Sequence, residues 1–92
     1  MAGIKDATLQ PKGYQKIAGL AAATALTVPA GASRALIKTE TATVRWRDDG
    51  VDPTTTDGML IDVGDELWYN GQLRAIKFIE TAAAVLHVSF YA

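Results

Sequence analysis

Few residues in this chain could do chemistry, and their spacing limits what that chemistry could be. His87 is the single histidine, and there is no cysteine. A histidine acting as a general base needs a nucleophile to activate and a carboxylate to orient it. The sequence shows no Gly-x-Ser-x-Gly elbow, no cysteine nucleophile and no second histidine. His87 therefore reads as a half-buried or interface residue. A metal-dependent cupin-like barrel would need several histidine and carboxylate ligands, which one histidine cannot supply.

The stretch Asp48-Asp49-Gly50-Val51-Asp52-Pro53-Thr54-Thr55-Thr56-Asp57-Gly58 gathers four carboxylates and raises the question of calcium. An EF-hand loop needs oxygen ligands at alternate positions and a glutamate at the twelfth. Counted from Asp48, the third residue is Gly50 and the twelfth is Met59. The pattern fails, and a solvated acidic turn is expected. No catalytic, cofactor-binding or metal-ligating residue is assigned.

The remaining candidates are for protein contact. Arg45 and Arg47 lie two residues apart, on one face of an alternating segment, with Trp46 on the other. Their guanidinium groups suit bidentate pairing with carboxylates of their own chain or of a neighbour. Trp68 and Tyr69 are adjacent, so on a strand they face opposite ways, and one of them is expected to be exposed or covered by a partner. Tyr91, in a last strand expected to lie at a sheet edge, is a further candidate, since an open edge invites strand addition.

The elements that must hold these residues read as strands. Thr43 to Arg47 and Ala84 to Tyr91 alternate strictly, the mark of half-buried strands. Arg34 to Glu40, Met59 to Ile61, Leu67 to Tyr69 and Arg74 to Glu80 add shorter runs. Asn70-Gly71 is a strong hairpin signal, because both residues tolerate positive φ. Gln15 to Ala18 and Ala25 to Val28 are read as two extended pieces, despite the helix-favouring alanines between them. Trp46, Phe78 and Phe90 share faces with aliphatic residues and are expected in the core.

One further pattern supports a layered β fold. Residues 34–42 and 74–82 match at five of nine positions, as Arg-Ala and Glu-Thr-Ala at an offset of forty. Both copies read as strand, corner, strand. The expected fold is all-β: a small antiparallel sandwich or barrel, jelly-roll-like, in residues 14–92, with an extended N-terminal arm in residues 1–13.

Composition limits the partners. Ninety-two residues make one domain. The apolar share is 49%, but much of it is alanine, so a few large side chains must carry the core. Nine basic and ten acidic residues leave a net charge of −1, without the basic excess of a nucleic-acid binder. Lys12 and Lys16 before the apolar run Ile17 to Val28, with Ala30-Gly31-Ala32 after it, imitate a secretory leader. Cleavage there would remove a third of the chain, so the segment is expected to stay. The run is too short and too rich in Ala and Thr to span a bilayer. The expected partner is protein.

Three segments carry a resemblance to a known group: Leu26 to Ile37, Val44-Arg45-Trp46-Arg47-Asp48-Asp49-Gly50 with Pro53-Thr54, and Ala75 to Glu80 with Val88-Ser89-Phe90-Tyr91. Together they span roughly residues 26–91 and resemble small virion structural proteins of tailed bacteriophages. The resemblance implies a non-enzymatic particle component, in the first place a capsid decoration (cement) protein on the capsid surface. It implies the major capsid protein or other virion subunits as partners, and a homo-oligomer, most naturally a trimer. A neck, tail or fibre-associated subunit is the alternative within that group. A carbohydrate-binding sandwich using Trp68 or Tyr69 as its platform is the alternative outside it.

Overall fold

In residues 85–91, Leu86, Val88 and Phe90 turn inward while Val85, His87 and Ser89 stay half exposed, as a period of two demands. The same rule builds the rest of the computed structural model, which describes residues 9–92. Its strands are β1 Pro11–Ala18, β2 Thr24–Ala25, β3 Arg34–Glu40, β4 Val44–Arg47, β5 Met59–Ile61, β6 Leu67–Tyr69, β7 Lys77–Glu80 and β8 Val85–Tyr91. The expected all-β architecture holds, and no described residue is helical.

Two four-stranded antiparallel sheets pack together. Sheet 1 has the order β1-β8-β3-β6 and sheet 2 the order β2-β7-β4-β5. The pairings are nested: β1 with β8, β2 with β7, β3 with β6 and β4 with β5. One long hairpin has in effect been wrapped over on itself, with the β4–β5 loop at its tip, which is jelly-roll topology. Pairs β3–β8 and β4–β7 close the two sheets. Advancing every strand number by four turns the order of sheet 1 into that of sheet 2 read backwards. The forty-residue echo maps onto this relation. Each Glu-Thr-Ala corner carries the chain from one sheet to the other, β3 to β4 and β7 to β8. The corners also touch, since the Thr81 amide and hydroxyl both donate to the Thr43 carbonyl, at 3.1 and 2.8 Å.

Between the sheets lie Phe78, Phe90, Leu20, Ile37, Ile76, Leu86, Val44 and Val88, all essentially inaccessible. Phe78 and Phe90 sit in the core as expected, and half-buried Trp46 packs against its margin. Truncating either phenylalanine would cost about 3–5 kcal/mol. In a chain this small that is a large share of the total stability.

Three local expectations change. The arm was expected to end at Gly13, yet β1 opens at Pro11, and Gln10 exchanges backbone hydrogen bonds with Ala92. Proline is tolerated there because β1 is an edge strand, and a register shift between Pro11 and Gly13 absorbs the misfit. Residues 1–8 of the expected arm lie outside the described residues. The extended piece expected from Ala25 to Val28 shrinks to Thr24–Ala25, and the Thr27 amide donates instead to Gln15 Oε1. Asn70-Gly71 makes no hairpin: β6 belongs to sheet 1 and β7 to sheet 2. Gly71 is required for another reason. A Cβ there would sit 2.5 Å from the Tyr69 hydroxyl oxygen.

Candidate functional site

Each sheet has an outer face, and the two are treated differently. On sheet 2, Arg45 and Arg47 point outward from β4, and both are spent on the β4–β5 loop. Arg45 donates to the carbonyls of Thr55 and Gly58, at 3.2 and 2.8 Å. Arg47 forks between Asp49 and Asp57, and Lys77 reaches Asp52 at 3.0 Å. The hydrogen bond to Asp49 raises the pKa of Arg47, and the same bond lowers that of Asp49. Both groups stay charged across the ordinary pH range. The sequence offered pairing within or between chains, and the arginines pair within.

Gly58 lets the loop lie close. A Cβ at this position would come within 3.1 Å of both Arg45 Cβ and the Trp46 carbonyl, and the residue has φ of 142°. Asp48 is taken as well: Tyr69 donates its hydroxyl to Asp48 Oδ2 at 2.7 Å. Burial first, and then this carboxylate, push the Tyr69 pKa up to about 12. Among the described residues no three metal-ligating side chains converge. Beside the loop runs an open cleft of about 460 Å³, lined by Trp46 and Met59 together with Arg47, Asp49 and Asp57.

Among the described residues, sheet 1 carries no such cover. Strand register places Tyr14, Ser89, Leu36 and Trp68 in one row across its outer face. Tyr14 is 62% and Trp68 40% exposed. On one side of this row lie Lys16, His87 and Lys38, and on the other Tyr91 and Arg34. Trp68 is thus the exposed member of its pair, and Tyr69 is buried in the core cluster. Tyr91 corrects an expectation. β8 is not an edge strand but lies between β1 and β3, and Tyr91 is buried against Trp68, with ring centroids 5.7 Å apart.

The edges themselves are poor templates for another strand. β2, β5 and β6 are two or three residues long. β1 is longer but carries Pro11, two lysines and the register shift. Contact with another molecule therefore falls to side chains on faces and flanks.

His87 has company that the sequence did not reveal. Its Nδ1 lies 2.6 Å from the Tyr14 hydroxyl, and its Nε2 lies 2.8 Å from Glu40 Oε1. Carboxylate, imidazole and hydroxyl in a line resemble a base-activated nucleophile. Here the line crosses the outer face of sheet 1, with the Tyr14 and Glu40 side chains exposed and that of His87 half-buried. The arrangement fixes the Tyr14 ring against His87, stacked at 6.2 Å. Only the fold brings the three together, because forty-seven and seventy-three positions separate His87 from Glu40 and Tyr14.

Comparison with protein-family models, with curated protein sequences and with solved structures found no match.

Proposed function

We propose that this protein is a structural component of a bacteriophage particle, in the first place a capsid decoration protein that binds capsid subunits and stabilises the head. The supporting observation is how this small sandwich distributes its large apolar side chains. Tyr14 and Trp68 stand out on the open face of sheet 1. Met59, Leu60 and Val63 stand out along β5 and the turn after it, with Val51 in the preceding loop. All six are 40–62% exposed. Single exposed apolar residues are ordinary, but groups of them on two separate surfaces suit a subunit that is covered by neighbours. The resemblance in residues 26–91 supplies the particle, and the surfaces supply the mode of action.

Titrating the purified protein onto undecorated phage shells, and counting copies per shell, tests the reading. Saturable binding at a fixed ratio to capsid subunits is expected, with a rise in shell melting temperature by mass action. Shells that take up no protein would remove the decoration role. Exposed Trp68 favours the carbohydrate-binding alternative, since an accessible ring can stack on a sugar. Glycan binding lost in Trp68→Ala, in a protein indifferent to shells, would select that alternative.

A further inference from the structure

The net charge of −1 hides a segregation along the chain. Seven of the ten acidic residues fall between positions 48 and 66, a span that contains no lysine or arginine. The structure gathers this span around β5 and its two flanking loops. Arg47 pairs with Asp49 and Asp57, Lys77 pairs with Asp52, and Arg45 is spent on backbone carbonyls. The three paired carboxylates, Asp49, Asp52 and Asp57, remain 52–71% exposed. At the centre of this flank are the exposed side chains of Met59, Leu60 and Val63.

Sheet 1 has the opposite character. Lys16, Arg34 and Lys38 project from β1 and β3, all exposed, around the apolar row of Tyr14, Leu36 and Trp68. Glu40 is the one carboxylate on these two strands, and His87 occupies it. One surface is thus apolar with a basic rim, and the other is apolar with an acidic rim. An apolar centre within a charged rim is the usual anatomy of a protein interface, and opposite rims supply register and attraction.

From this complementarity we infer that the outer face of sheet 1 docks against the β5 flank of a second copy of this chain, head to tail. An unrelated partner with an acidic surface would satisfy the face of sheet 1 and leave the flank exposed. A second copy satisfies both surfaces with one contact. Because two different surfaces meet, the contact is heterologous and closes into a ring or continues as a filament. A trimeric ring is one such closure. The inference rests on the reading of the protein as an assembly subunit and names the contact between copies.

Sedimentation velocity on the full chain tests it, across protein concentration and at low and high salt. Association is expected at low salt, weakening about tenfold as salt screens the rims. Lys16→Asp with Lys38→Asp reverses the face, and Asp52→Lys with Asp65→Lys reverses the flank. Each double variant alone should sediment as a monomer, and an equimolar mixture of the two should associate again. Circular dichroism melting confirms that each is folded, and the salt series on the unaltered protein stands without them. A protein that stays monomeric at every concentration and salt overturns the inference, as does association that charge reversal leaves intact. Shell binding is read separately. Monomers that decorate shells defeat this contact alone, whereas rings that ignore shells defeat the decoration role alone.

Discussion

The two outer faces of this sandwich start from similar material and end differently. Each carries two basic residues on the outward side of a central strand, Arg45 and Arg47 on β4 and Arg34 and Lys38 on β3. On sheet 2 the β4–β5 loop folds back, and its carbonyls and carboxylates take up the guanidinium groups. On sheet 1, among the described residues, no segment folds back over the cations of β3. The difference lies in the connections rather than in the strands. The loop closing the β4–β5 hairpin is long and acidic, while the β3–β4 corner is three residues that hurry the chain into the other sheet. The lidded face has spent its arginines on its own loop and presents that loop's carboxylates outward, whereas the other face presents cations and rings.

The sharpest way to break the comparison is to lift the lid. Gly58→Ala forces a methyl group against Arg45 Cβ and the Trp46 carbonyl, at a φ that L-residues rarely adopt. The backbone neighbour cannot swing aside as the end of a flexible side chain would. A loss of about 2–3 kcal/mol is expected, read as a lower urea midpoint with faster hydrogen exchange at residues 54–58. An unchanged midpoint would mean that the loop is only loosely laid over sheet 2.

The second step cuts the tie between the lid and sheet 1. Tyr69→Phe removes the bond to Asp48 and leaves the ring in place, so about 1–2 kcal/mol should be lost. The effect carries a pH signature. Burial and Asp48 raise the Tyr69 pKa from 10.0 to about 12, so the folded state holds the proton more tightly than the unfolded chain does. That contribution is complete below pH 10 and is lost as pH climbs through the folded value near 12. The parent protein should lose stability across this window more steeply than Tyr69→Phe, in chemical denaturation measured at several alkaline pH values. Parallel curves would show that Tyr69 ionises as freely folded as unfolded.

What the sequence could and could not reveal follows the range of each interaction. Alternation is local, so β3, β4, β5, β6 and β8 could be read from their own residues, as could the inward set of Leu86, Val88 and Phe90. The echo of residues 34–42 in 74–82 carried non-local information because it repeats a structural unit, and it marked the two sheet-switching corners. Asn70-Gly71 misled because glycine was needed for space beneath the Tyr69 ring rather than for positive φ. Tyr91 misled because being last in the chain says nothing about being last in the sheet. The Glu40–His87–Tyr14 line joins three strands and has no local signature. The crowding of acids between 48 and 66, by contrast, was visible in the chain, and the balanced net charge concealed it.

The smallest effect belongs to the open face. Tyr14→Phe deletes the hydroxyl that meets His87 Nδ1 at 2.6 Å, a bond as short as the one Tyr69 makes. Geometry alone would rank the two alike. Environment separates them: Tyr14 is 62% exposed and Tyr69 8%. Water replaces the lost partner at Tyr14, so the change should stay within about 0.5 kcal/mol. The His87 ring resonances should nonetheless shift in NMR spectra, because the bond is real even where it adds little stability. If Tyr14→Phe destabilised the fold as much as Tyr69→Phe, sheet 1 would have to be covered after all. A hydroxyl facing bulk water cannot be missed that much.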